Sequence, residues 1–266
     1  MIQLLLVLLA RPPALQVAAA VPKEPGYHLI WHDEFSGNGL PDPKKWGWEV
    51  GMLRNHEAEY YTKDRLANAR VENGHLTITG IHEPYKGAQF TSASLQTHDT
   101  FSFEYGRLEV RAKLPGGSGT WPAIWLMGED VGQTGWPRCG ELDVMEHVAF
   151  DAAGIHGTVH LPHPDGQGQA SAGGTVQAPD CTTAWHVYGM NWSPQAISFS
   201  LDGKPYFRYP YSGPQSWVFD KPMYLIINLA IGGDWGGQHG LDPAAYPQKF
   251  QIDYVRVWQK DRPGRP

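Results

Sequence analysis

The strongest constraint on the fold is an alternation of period two. From Tyr105 to Leu114 the even positions read Gly106, Leu108, Val110, Ala112 and Leu114, and the odd positions read Tyr105, Arg107, Glu109, Arg111 and Lys113. Side chains that switch character at every residue belong to a strand with one dry and one wet face. Ile197, Phe199 and Leu201 alternate in the same way with Ser198, Ser200 and Asp202, and Asp202-Gly203 then offers a hairpin turn. Leu76 and Ile78 alternate with Thr77 and Thr79. Met223 to Ile231 is nearly continuous apolar sequence and predicts a strand covered on both faces; Phe250 to Trp258 is a closing β-rich run. No segment of any length carries a helical period. Many short strands between Gly, Ser and Pro clusters predict an all-β fold, an antiparallel two-sheet β-sandwich. One outer face of such a sandwich is free to curve into a groove.

Composition narrows the partners. The chain has 266 residues, is 41% hydrophobic and carries a net charge of -6. That is enough apolar material for one large core. The mild acidity argues against nucleic acid, whose phosphates need a basic surface. No repeat, charge block or linker divides the chain, so a single domain is expected over residues 28–260, with short tails at 21–27 and 261–266. Ile2 to Ala10 is too short to span a bilayer and has the length of a signal-peptide core. Gln16-Val17-Ala18-Ala19-Ala20 supplies small residues for cleavage, although the positive charge, Arg11, follows the apolar run. The expectation is a signal peptide over residues 1–20 and a secreted, extracellular or periplasmic, soluble monomer with no membrane partner. A loosely packed N-terminal tail is the plainer alternative. In an oxidising compartment Cys139 and Cys181 either pair as one disulfide or stay as two buried thiols.

The most informative segment is Glu141-Leu142-Asp143-Val144-Met145-Glu146. Glu141 and Asp143 are two apart and share a strand face. Glu146 is five from Glu141, so strict alternation sends it to the other face. One extra residue, Val144 or Met145, accommodated as a β-bulge brings it back. The two glutamates then lie four strand steps apart, roughly 13 Å between Cα atoms. Their side chains lean together, so the carboxyls can approach to about 5–6 Å, the separation used by retaining glycosidases. Three acids on one face repel, which raises at least one pKa toward the range a general acid needs. A solvated acidic face or a calcium site uses the same residue types. Neither accounts for the apolar Leu142, Val144 and Met145 or for the tryptophan-rich flanks.

With its Glu-Leu-Asp-Val-Met-Glu run, the sequence resembles glycoside hydrolase family 16, in the bulged form of its laminarinases. Further matches are Trp31-His32-Asp33-Glu34-Phe35, Asn55-His56-Glu57-Ala58-Glu59-Tyr60-Tyr61-Thr62, Gly119-Thr120-Trp121-Pro122-Ala123-Ile124-Trp125, Gly157-Thr158-Val159-His160, Asn228-Leu229-Ala230-Ile231-Gly232-Gly233 and Asp253-Tyr254-Val255-Arg256-Val257-Trp258. They run in the family's order over about residues 28–258. One departure is Glu59, where the laminarinase pattern more often has Gln.

The resemblance implies a concanavalin-like jelly roll with a substrate groove on its concave face. It also implies endo-β-1,3-glucan hydrolysis with retained configuration and no cofactor for catalysis. Glu141 would be the nucleophile and Glu146 the general acid/base, with Asp143 between them tuning the nucleophile. Sugar rings present apolar faces to aromatic platforms. Trp121 and Trp125 share strand parity, and the resemblance sets them at the subsites nearest the cleaved bond. Trp136 precedes the acidic strand; core packing is the alternative for any single tryptophan. His160 matches the family's G-T-x-H run and so reads as a sugar contact. Asn55 and Glu57 would reach the non-reducing side. Asn228, polar within a buried strand, either faces the groove or only satisfies backbone. Trp235 either covers one groove end or sits in a plain flexible loop. Many family members carry one structural calcium on the convex side, and the matching positions are Glu34, the Gly74 carbonyl and Asp253; two surface acids are the alternative. The expected partner is a β-glucan. The rival enzyme is a β-1,3-1,4-glucanase or a hydrolase of another polysaccharide. The rival of another class is a lectin-like glucan-binding module, which has no need of three acids on one face.

Overall fold

The computed structural model describes Val21, residues 23–214 and residues 216–261; the expected signal peptide lies outside the described residues, as does the tail beyond Asp261. Alternation builds the architecture. Gly106, Leu108, Val110 and Ala112 are buried along the strand Gly106–Lys113, with every odd residue between them partly open. Ile197, Phe199 and Leu201 do the same in Ala196–Leu201. Asp202 and Gly203 both adopt positive φ, 50° and 75°, which is the twist a two-residue hairpin turn requires.

Two sheets stack face to face. The larger has ten strands, and its hydrogen-bonded order runs Lys204–Pro210, Ala196–Leu201, His186–Ser193, Gly106–Lys113, Gln248–Lys260, His75–Tyr85, Ala88–Ser92, Glu59–Tyr61. The long strand Gln248–Lys260 also takes Tyr27–Asp33 along its second half, and Ala69–Glu72 pairs with His75–Tyr85. The smaller has seven strands: Gln169–Gln177, Gly154–Pro162, Glu141–Glu146, Thr120–Gly128, Met223–Ile231, Ser94–Gln96, Gly47–Glu49. Pairing is antiparallel throughout these sheets except between Glu59–Tyr61 and Ala88–Ser92. The result is the expected jelly roll. Its core lies between the sheets: Leu76, Ile78, Leu108 and Val110 of the large sheet meet Leu142, Val144, Leu225 and Ile227 of the small one.

Met223–Ile231 is buried at all nine positions. Met223, Leu225, Ile227 and Leu229 enter the core, whereas Tyr224 and Ile226 pack with Ala123 and Trp125 on the opposite side. The second face is therefore covered by the groove floor. The strand bearing His160 continues two residues beyond it, to Pro162, which lies opposite Gln169. At the N-terminus the first strand begins at Tyr27, one residue before the expected domain start. Glu24 pairs with Arg107, and Asp261 N donates to the Gly26 carbonyl at 2.9 Å, so this part of the expected tail is held against the domain. The two cysteines are separate buried thiols: Cys139 Sγ lies 3.3 Å from Met127 Sδ, and Cys181 Sγ 3.7 Å from the Ala152 carbonyl. No helix among the described residues is long and apolar enough to cross a membrane.

Candidate active site

The acidic strand carries a bulge. Asp143 faces Trp125 and Met145 faces Ile124, so Val144 is the extra residue that has no partner on that side. On the other side the register likewise slips between Asp143, opposite Thr158, and Glu146, opposite His156. Leu142, Val144 and Met145 all enter the core, and Glu141, Asp143 and Glu146 all open onto the outer face of the seven-stranded sheet. There they line a cavity of about 710 Å³.

Each glutamate is held by an indole. Trp136 Nε1 donates to Glu141 Oε2 at 2.6 Å, and Trp121 Nε1 donates to Glu146 Oε1 at 2.9 Å. His160 Nε2 approaches Asp143 Oδ2 to 2.9 Å. Gln169 Nε2 lies 3.0 Å from the other ring nitrogen and donates to it, so a neutral His160 carries its proton on Nε2. One ligating atom each from Glu141, Asp143 and His160 lie within 4.8 Å of one another. Burial raises the pKa of all three acids; repulsion from neighbouring carboxylates adds to it at Glu141 and Glu146, whereas at Asp143 a hydrogen bond from Glu141 opposes it. Glu141 is pushed up to about 8 by desolvation and then by Asp143, against the opposing pull of His160 and the Trp136 N–H. Asp143 is pushed up to about 7 by desolvation. Glu146 rises well above the carboxylate range for the same first reason, with Asp143 and Glu141 adding to it and the Trp121 N–H opposing.

The eight side chains predicted as sugar contacts, Asn55, Glu57, Trp121, Trp125, Trp136, His160, Asn228 and Trp235, all line this cavity. Asn228 faces the groove, where its Oδ1 accepts the Trp125 N–H at 2.8 Å and its Nδ2 donates to the Tyr61 hydroxyl at 3.0 Å. Trp235 sits in a short helical turn, Gly233–Gly236, and meets Trp121 edge to face at 5.6 Å between ring centroids. Sequence reasoning missed Arg54 and His156. Arg54 lies 4.9 Å over the Trp125 ring and grips Glu49 through its two terminal guanidinium nitrogens. His156 lies opposite Glu146 and packs edge-on against Trp235 at 5.0 Å. Its signal was parity, since His156 is four residues before His160 on one strand and therefore shares its face.

Glu34 and Asp253 do not join this cavity. The register sets Asp33 opposite Val255 and Leu76 opposite Ile252, which brings the backbone around Glu34, Gly74 and Asp253 toward one corner of the large sheet. An all-oxygen donor set there fits calcium. Both carboxylates already carry a cation: Arg256 donates to the two oxygens of Glu34 at 2.9 and 2.7 Å, and Arg111 to Asp253 at 2.5 Å.

The model of the glycosyl hydrolases family 16 matches residues 56–256. The chain belongs to that family. A β-glucanase of Rhodothermus marinus is 45% identical over 248 residues, covering 89% of this chain and 87% of that protein. Among solved structures, the laminarinase of Rhodothermus marinus superposes with a TM-score of 0.83 at 43% identity, covering 89% of this chain and 98% of that one. SCLam, a non-specific endo-β-1,3(4)-glucanase, also superposes at 0.83, with 41% identity over 92% of this chain and 95% of its own. The family 16 chain described here is thus a glycoside hydrolase.

Replacing Trp136 by Phe keeps an aromatic ring and removes the N–H on Glu141. Because that bond favours the anion, the Glu141 pKa should rise above about 8. Carbon-13 titration of the side-chain carboxyls checks the direction.

Proposed function

We propose that the chain is a retaining endo-β-1,3-glucanase acting on laminarin-type glucans by double displacement. The observation that carries this reading is the bulge at Val144, which brings Glu141 and Glu146 to one groove face. Desolvation and two neighbouring carboxylates keep the proton on Glu146. Glu146 is therefore the group suited to protonate a leaving glycosidic oxygen. Glu141 has two neighbours that favour its anion, the Trp136 N–H and His160, which suits a nucleophile.

In the first step Glu141, as its carboxylate, attacks the anomeric carbon. The bond to the departing sugar breaks, and Glu146 gives its proton to that sugar's oxygen. In the second step Glu146, now a carboxylate, takes a proton from water. The water oxygen displaces Glu141, so two inversions leave the configuration retained. Asp143 lies between the two glutamates, where it hydrogen-bonds Glu141 and tunes its charge. The tryptophans of the groove offer flat platforms for sugar rings on either side of this point. These steps call on no cofactor.

The names of the relatives support a β-1,3-glucan substrate. A second reading, cleavage of mixed β-1,3-1,4 chains, is favoured by the match to SCLam. Product analysis on laminarin, lichenan and agarose separates the readings. We expect release from laminarin; release from agarose alone would overturn the substrate assignment. Glu141→Ala should abolish hydrolysis while glucan binding persists, and azide should restore turnover with an inverted glycosyl azide product. Glu146→Ala should spare substrates with good leaving groups. A variant with unchanged hydrolysis would remove that residue from its role.

The proposal extends to export and to one structural ion. Export is supported by the Ile2–Ala10 run and the small residues that follow; N-terminal sequencing of protein from the culture supernatant should begin after the Ala18–Ala20 run. A monomer suffices, since one chain supplies every groove residue named above. Calcium would be held by Glu34, the Gly74 carbonyl and Asp253, where it would brace the corner of the large sheet. Because Arg256 and Arg111 already balance the two carboxylates, its affinity is expected to be low. Chelation should leave activity unchanged and lower Tm by no more than about 2–4 °C, as read by calorimetry with and without calcium.

A further inference from the structure

Beside the catalytic acids lies a second acidic pair, of which only Glu57 reaches the groove. Glu59 is wholly buried and Glu57 nearly so. Glu59 Oε2 accepts the Ile231 N–H at 2.8 Å. Its other oxygen, Oε1, has no N–H or O–H donor. The groups in hydrogen-bonding contact with Glu59 are the Glu57 carboxyl and the Tyr61 hydroxyl, and an ionised carboxylate has nothing to donate.

The surrounding donors are spent elsewhere. Tyr61 has a single hydroxyl proton, and it goes to Glu57 Oε2 at 2.9 Å, while the same hydroxyl accepts from Asn228 Nδ2. Asn55 Nδ2 donates to Glu57 Oε1 at 3.3 Å. Arg54 lies 5.9 Å over the Tyr61 ring, but its guanidinium is committed to both oxygens of Glu49. Tyr246 approaches Glu59 from the neighbouring loop and brings no cation. Two adjacent buried carboxylates with no cation to spare do not both ionise.

We propose that Glu57 and Glu59 share one proton, held on Glu59 Oε1 and donated to Glu57, which makes Glu59 the positioning residue that fixes Glu57 as a singly charged acceptor for sugar hydroxyls at the groove edge. The proton supplies the donor that Oε1 lacks. Desolvation, followed by the charge of Glu57, pushes the Glu59 pKa well up, in keeping with that geometry. A glutamine, the residue more frequent here in the laminarinase pattern, would supply an N–H at every pH. Glu59 supplies its O–H only until the proton leaves. At alkaline pH Glu57 then loses a donor, gains a repelling neighbour and holds sugar less well. Only this sugar-binding consequence rests on the glucanase reading.

The test compares the wild type with Glu59→Gln by denaturant unfolding between about pH 5 and 8. The unfolded glutamate ionises near its ordinary value while the folded one keeps its proton. Unfolding of the wild type therefore releases one proton more than unfolding of the variant, and its folding constant should weaken relative to the variant about tenfold per pH unit. A ratio that stays flat overturns the shared proton. Should Glu59→Gln not fold, Glu57→Gln serves instead: with the facing charge gone, the weakening should end at lower pH than in the wild type, and an unchanged end-point overturns the pairing. Kinetically, KM for laminarin should rise on the alkaline side in the wild type and not in Glu59→Gln. An equal rise in both overturns the positioning role. A wild type inactive on laminarin would defeat the glucanase reading, and the unfolding ratio would still decide the proton.

Discussion

Desolvating carboxylates is costly, and this molecule does it at three neighbouring positions of one strand. The rest of the groove follows from how that cost is met. The bulge sends three apolar residues inward and three acids outward from six consecutive positions. Indole N–H groups then satisfy one oxygen of each glutamate, and a histidine approaches the aspartate between them. An indole is well suited to this, because it donates one hydrogen bond and offers a large apolar face to a sugar ring. The residues that satisfy the acids are thus also residues that line the site.

The same reasoning explains why the site opposes stability. A carboxyl whose folded pKa lies above its unfolded value is protonated in the fold when it would be ionised in the free chain. Stability from such a group is fully present only below the unfolded pKa and falls as pH rises toward the folded one. Glu141, Asp143, Glu146 and Glu59 all carry shifts in that direction. The surrounding sandwich absorbs the loss through a core drawn from both sheets, including Leu76, Leu108, Ile124 and Phe199, all completely buried.

Much of this was legible in the sequence, because alternation is a local signal. The strands at Gly106–Lys113 and Ala196–Leu201 follow the written pattern residue by residue. The bulge was legible because a step of five from Glu141 to Glu146 conflicts with a period of two. Identifying Val144 rather than Met145 as the extra residue needed the pairing with Thr120–Gly128, which no local pattern contains. Arg54 escaped notice for a related reason. It stands in a loop, and its importance lies in a stack on Trp125 and a grip on Glu49 that only the folded chain creates. Cys139 and Cys181 read equally well as partners or strangers, since their separation is set by how the loops pack.

Those two sulfurs carry a consequence for maturation. One rests against a thioether and the other beside a main-chain oxygen, each sealed inside the protein. No covalent staple joins the sheets, so their packing rests on non-covalent contacts alone. Glutathione and disulfide isomerases have no bond here to break or reshuffle.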